Sequence, residues 1–217
     1  MSEDPLQRMR IVFSVGEEAK YISHLDLLRA WERILRRAEV PLAYSQGFNP
    51  HPRLVIAMPL PVGCTGAMEV VDAYLYEPLP PVALSQMLQA QMPPGLAATA
   101  AHEVDLHGPA MPSVIRHAVY RMLLEGVAYQ EVAERAHDFM ARDHVQVVFR
   151  HKTFDLRPLV GRLEAEEEDG HVTLQAVLVR LPSGRIGRPD VLLETLGLDA
   201  YARRIHRSYI AFDEPHV

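Results

Sequence analysis

"HLDLLRAWERILRRA" (residues 24–38) is the stretch on which the fold turns. Leu27, Leu28, Trp31, Ile34, Leu35 and Ala38 recur at three- and four-residue spacing, which is the period of one helix face. Ser23 stands before the first turn as an N-cap, with Asp26 three residues on. That is the capping-box spacing, with Asp where Glu or Gln is commoner. Pro41 stops the helix. Upstream, "RMRIVFSV" (8–15) alternates polar and apolar residues and reads as a strand. Downstream come extended segments at 54–59 and 67–76, then "LPPVALSQMLQAQM" (79–92), a proline-initiated helix with Leu84, Met87, Leu88 and Met92 on one side. "GLAATAAHEVDL" (95–106) returns as a strand. A helix placed between one strand and a strand pair, with a second helix and strand behind, is the ferredoxin-like order.

The turn-rich "HGPAMPS" (107–113) marks a domain boundary, and the order repeats after it. "VIRHAVYRMLLE" is a strand, 128–142 a helix and "VQVVFRH" a strand. "VGRLEAEEE" and "HVTLQAVLVR" form a hairpin joined at Asp169–Gly170, a strong turn dipeptide. "RPDVLLETLG" is a short helix with Pro189 near its start and Gly197 as its C-cap, and 201–212 closes as a strand. The chain is therefore expected to be α+β: two tandem ferredoxin-like (βαββαβ) domains at 9–108 and 112–217, behind a flexible tail at 1–8.

Hydrophobic content of 48% suits a chain of 217 residues with a substantial core. A net charge of −6 argues against a uniformly basic nucleic-acid coat. The single cysteine, Cys64, leaves no disulfide framework, thiolate zinc cage or cysteine-ligated cluster within the chain, and is read as a small buried hydrophobe. No metal and no cofactor is expected. No apolar run has the length of a membrane span and the N-terminus lacks a signal-peptide core, so a cytoplasmic protein without a membrane partner is expected.

Charge is nevertheless polarised. From Lys20 to Arg53 there are six Lys/Arg against three Asp/Glu, whereas Thr65–Ala110 holds five acidic residues and neither Lys nor Arg. Arg29, Arg33, Arg36 and Arg37 line the helix side away from its apolar stripe, and guanidinium forks match phosphate oxygens. A solvated face offset by Glu32 and Glu39 is the competing reading. The loop that follows, "YSQGFNPHPR" (44–53), supplies donors at Gln46, Asn49, His51 and Arg53. It adds Tyr44 and Phe48 as stacking surfaces, unless Phe48 sits in the core. His24 and His51 flank the basic helix and are the candidates for general acid–base catalysis, as in metal-independent RNA cleavage. In "KTFDLRPLVGRL" (152–163), Asp155 and Arg157 form a salt-bridged turn, or else Lys152 and Arg157 extend an anion-binding surface. "EAEEED" (164–169) reads as a solvated hairpin end. Basic residues occupy both faces of "RRIHRSY" (203–209), the pattern of an edge or ligand-facing strand.

Three stretches carry a resemblance: "YISHLDLLRAWERILRRAEVPLAYSQGFNPHPRL" (21–54), "KTFDLRPLV" (152–160) and "GRPDVLLETLGL" (187–198). Together they resemble the bacterial radical-SAM-linked proteins, a family of unknown function encoded beside, or fused behind, radical SAM proteins. The family's strongest motif corresponds to Ser23, His24, Asp26, Arg29, Tyr44, Ser45, Gln46, Gly47, Phe48, Asn49, Pro50 and Pro52. The resemblance implies a radical SAM protein as partner. With one cysteine, this chain is not the radical generator itself. The first stretch is also similar, more weakly, to the RAMP superfamily of CRISPR repeat-processing endoribonucleases, tandem ferredoxin-like proteins with a comparable helix and turn. Their C-terminal glycine-rich loop has no clear counterpart here. The expectation is an RNA-binding accessory protein working with a radical SAM enzyme in RNA modification or processing. Its contacts would be Arg29, Arg33, Arg36, Arg37, Tyr44, Gln46, Phe48, Asn49, Arg53, Lys152 and Arg157. A CRISPR-type endoribonuclease using His24 or His51, or a purely protein-binding module, are the alternatives.

Overall fold

The computed structural model describes residues 4–213. Its contacts divide the chain into two units, one running to Ile115 and taking in Phe212, the other spanning Arg116–Ala211. The division falls a few residues beyond the expected 107–113 boundary. The expected tail at 1–8 also ends earlier: residues 1–3 lie outside the described residues, and the first strand begins at Gln7 with Gln7 and Arg8 already buried. No helix among the described residues is long and apolar enough to cross a membrane.

The first unit runs β1 (Gln7–Val15), α1 (His24–Arg37), β2 (Leu54–Ile56), β3 (Cys64–Leu75), α2 (Pro81–Gln89) and β4 (Leu96–Val104). Its sheet has the order β4-β1-β3-β2, with each pairing antiparallel. Side chains alternate across a strand, so Met9, Ile11, Phe13 and Val15 share one face with Val71, Ala73 and Leu75. That face is covered by the apolar stripe of α1 and by Leu84 and Leu88 of α2. Trp31 is fully buried, with its ring edge-on to Phe13 at 4.9 Å. Removing a side chain of that size costs about 3–5 kcal/mol.

Both ends of α1 are written locally. The Ser23 hydroxyl accepts from the Asp26 N–H at 3.2 Å, the expected cap. At the other end the Glu39 N–H donates to the Arg36 carbonyl and the Val40 N–H to the Leu35 carbonyl, both at 3.1 Å, with Glu39 at φ 55°. This is a Schellman closure made without the usual glycine, and buried Val40 pins it before Pro41.

The second unit runs β5 (Ile115–Leu124), α3 (Tyr129–Met140), β6 (Gln146–Phe149), β7 (Lys152–Asp155), β8 (Val160–Glu168), β9 (His171–Val179), α4 (Pro189–Leu196) and β10 (Ala202–Phe212). Its sheet order is β10-β5-β9-β8. Ala118, Tyr120, Met122 and Leu124 alternate into a core with Leu174, Ala176 and Leu178, and α3 and α4 contribute Val132, Phe139, Leu192 and Leu193. The β8–β9 hairpin turns at Asp169–Gly170 with φ 52° and 75°, and α4 begins at Pro189 and is capped by Gly197 at φ 65°, all as read from the sequence.

Two readings need correction. "VQVVFRH" is not one strand but half of a hairpin: β6 turns at Arg150–His151 into β7, and the pair forms a separate two-stranded sheet. The basic residues of β10 are not all solvent- or ligand-facing. Arg207 is fully buried, donating to the Tyr120 hydroxyl at 3.2 Å with its guanidinium over the same ring.

Candidate nucleic-acid interface

Helix α1 buries Leu27, Ala30, Trp31, Ile34 and Leu35, which turns Arg29, Arg33, Arg36 and Arg37 outward. The four are not equivalent. Arg29 pairs with Asp26 one turn back at 3.1 Å, and Arg37 donates to the Gln91 carbonyl at 3.0 Å. Neither Arg33 nor Arg36 makes a side-chain hydrogen bond or ion pair among the described residues, so these two guanidinium groups remain available. Hydrogen bonds from Ser23, then Arg29, hold the Asp26 carboxyl below its ordinary value of 3.8. Glu32 and Glu39 pair with none of the four.

The loop after α1 is closed at its base by the sheet. Tyr44 bridges Pro52, the Ser45 N–H donates to the His51 carbonyl at 2.8 Å, and the His51 N–H donates to the Ser45 hydroxyl at 3.1 Å. Beyond that base Gln46, Gly47, Phe48, Asn49 and Pro50 are exposed, with Gly47 at φ 128°. Phe48 does not enter the core: its relative exposure is 106%, against 38% for Tyr44. A phenyl ring wholly in water at the tip of a closed loop offers a stacking face and gives the fold no packing. Arg53, at the far side of the base, lies over the Tyr74 ring at 4.7 Å. Contacts of this kind contribute about 0.5–1 kcal/mol at exposed sites.

Tyr74 leads to a feature the sequence did not announce. On the sheet face opposite the helices, β1 sets Arg8 across from Tyr74 and Arg10 across from Asp72. Asp72 is fully buried and accepts from Arg8 Nε and Arg10 Nε, each at 2.9 Å. Arg8 also donates to the carbonyls of Gly108 (3.1 Å), Pro109 (3.0 Å) and Asp105 (3.4 Å), and its cation faces Tyr74 at 5.6 Å. Two guanidinium groups thus share one carboxylate beside a cavity of about 370 Å³ walled by Val104, Pro109, Val114 and Phe212. Every N–H of Arg8 is engaged inside the protein, so its role is to fasten the 105–109 segment to β1.

His24 and His51, each a candidate general acid or base, stand at the start of α1 and at the base of the 44–53 loop. His24 opens α1 with its Nδ1 buried and without a hydrogen-bond partner, and His51 is exposed in the loop base. Among the described residues no three His, Cys, Asp or Glu side chains gather closely enough to hold a metal ion. Cys64 is buried.

In the second unit Lys152 is exposed beside the β6–β7 turn. Arg157 is not part of an open surface. Its guanidinium donates to the Met140 carbonyl at 3.2 and 3.3 Å and to the Val160 carbonyl at 2.8 Å. Nor do Asp155 and Arg157 form a salt-bridged turn. Asp155 accepts the Arg157 backbone N–H at 3.0 Å and the Val145 N–H at 2.9 Å, and its other oxygen meets His144 Nδ1 at 2.7 Å. That contact raises the His144 pKa above 6.5 and lowers that of Asp155 below 3.8.

The chain belongs to a family described as "Uncharacterized protein conserved in bacteria (DUF2344)", whose model matches residues 8–189. No curated protein matches it.

Proposed function

From membership in a family described only by its conservation in bacteria, we propose that this chain is an RNA-binding accessory protein. In this reading each unit is a ferredoxin-like domain, supported by the 4-1-3-2 strand order that recurs in both units. The protein serves a radical SAM enzyme that modifies or processes the RNA. The resemblance of residues 21–54 to radical-SAM-linked proteins supports that partner.

The observation that carries the reading is the solvent-borne Phe48 at the tip of its closed loop, 12 residues after Arg36 (48 − 36), in the same unit as the unpaired Arg33 and Arg36. Stacking of one base on an aromatic ring contributes about 1–3 kcal/mol and tolerates any sequence, while guanidinium groups engage phosphates. An exposed ring and unpaired cations are what an unpaired strand needs from a protein.

The test is fluorescence anisotropy of a labelled oligouridylate and of bulk tRNA across a salt series. Phe48→Ser should weaken binding by about tenfold or more without moving the melting temperature, because the ring packs against nothing. Arg33→Ala with Arg36→Ala should flatten the slope of log K against log salt by about 1.4 on the single strand. Wild-type protein that binds neither RNA, or binds with no salt dependence, removes the reading. RNA cleavage in EDTA that is lost on His24→Ala or His51→Ala would replace it with an endoribonuclease.

A further inference from the structure

We propose that the β6–β7 hairpin of the second unit is a separate phosphate-binding ribbon for the same RNA, a site that rests on the RNA-binding reading above. The argument starts at its turn. Phe149 pairs with Lys152, leaving Arg150 and His151 as a two-residue loop with φ 49° and 63°. Positive φ at both central positions is the turn that matches strand twist, and it selects Asn, Asp and Gly because a side chain crowds the backbone there. The same unit makes that turn a second time with the favoured residues, Asp169–Gly170 at φ 52° and 75°. One unit therefore holds two turns of one geometry, and only the first tolerates two large side chains. Strain kept at an exposed tip points to the side chains it presents.

Arg150, at that tip, is one of three cations on or beside the ribbon, and two of the three lie over aromatic rings. Val147, Phe149, Lys152 and Phe154 lie on one face of the ribbon, by the pairing Val147↔Phe154 and Phe149↔Lys152. Arg150 lies over the Phe149 ring at 5.2 Å, and Arg185, from the segment between β9 and α4, lies over Phe154 at 4.2 Å. A guanidinium stacked on a ring keeps its N–H edge free for a phosphate while losing little side-chain freedom on binding. Arg150, Lys152 and Arg185 are exposed and have no carboxylate partner among the described residues. Two acidic groups are occupied elsewhere: Asp155, at the opposite end of the ribbon from the turn, by His144, and Asp190 by Arg188 at 2.7 Å. Three unpaired cations on or beside a separate two-stranded ribbon fit a phosphate backbone, which is read without regard to base.

The experiment uses the full chain with labelled oligouridylate as probe. Arg150→Ala/Lys152→Ala/Arg185→Ala should weaken binding about tenfold or more at moderate salt and flatten the log–log salt slope by about 2. A second variant, Arg150→Asn/His151→Gly, relieves the turn. It should raise the melting temperature by about 2 °C while weakening binding, an outcome that misfolding does not produce. If the wild type binds and responds to Arg33→Ala/Arg36→Ala but not to the hairpin variants, the ribbon is overturned and the first-unit interface stands. If polyglutamate of equal length competes as well as oligouridylate, the ribbon docks an acidic protein and the RNA assignment fails.

Discussion

Asp72→Asn tests the most consequential arrangement in the first unit. Asp72 is fully buried and accepts from Arg8 and Arg10, themselves 2% and 4% exposed. The substitution keeps the shape, removes the charge and turns an amide NH₂ toward groups that can only donate. Breaking a buried pair by deleting one partner costs about 3–5 kcal/mol, since the remaining charge stays out of water. Against the 5–15 kcal/mol that holds a typical domain folded, this is a large fraction. At about 2–4 °C per kcal/mol for a chain of this size, the melting temperature should fall by about 6–20 °C. Urea unfolding followed by Trp31 fluorescence reads the first unit selectively, because Trp31 is the single tryptophan and lies in that unit's core. A loss below about 1 kcal/mol would refute the reasoning, because it would mean water reaches the guanidinium groups. A triple variant, Arg8→Met/Arg10→Met/Asp72→Leu, should be more stable than Asp72→Asn, since none of these three buried charges is left. It should still fall short of wild type because the carbonyls of residues 105, 108 and 109 lose their donor. If the triple variant is no better than the single one, the unpaired charge is not the cause.

Two further outcomes can be checked directly. His144, raised above 6.5, stabilises the fold fully below that value and stops doing so as pH rises through its own pKa. Asp155, lowered below 3.8, contributes above that value and is lost as pH falls through its own pKa, so the pair is intact between the two. An NMR titration should place His144 above 6.5 and lower it in Asp155→Asn; an unchanged His144 titration would show that the contact is not formed in solution. Gly95→Ala should cost about 1–3 kcal/mol by the Trp31 assay. The residue sits at φ 81°, and an added Cβ would stand 2.7 Å from the Ala19 nitrogen. A change under about 0.5 kcal/mol would contradict that crowding.

How much could be read in advance depended on whether the signal was local. Ser23, the stripe of α1, the N-terminal prolines of α2 and α4 and the Asp169–Gly170 turn each carry their meaning within a few residues, and all appeared where expected. The β6–β7 hairpin escaped because Arg150–His151 is not turn chemistry, so an apolar run with a basic end reads as one strand. The buried arginines escaped for a different reason. Strand alternation assigns Arg8 and Arg10 to one face of β1 but is silent on whether that face meets water, and their counter-charge lies more than sixty residues away. At the candidate site, the exposure of Arg33 and Arg36 follows from the helix period. The engagement of Arg157 with two carbonyls depends on where α3 ends and β8 begins, which no local pattern encodes.

The grip of Arg8 on the 105–109 segment has an evolutionary corollary. It recognises three main-chain oxygens and no side chain of that segment, so any residue able to follow the same path can occupy those positions. Relatives of this chain should therefore vary at 105, 108 and 109 as far as the turn itself allows, while Arg8 and Asp72 are kept or lost together. Sequence divergence in that segment would then mark neither a change of fold nor a change of function.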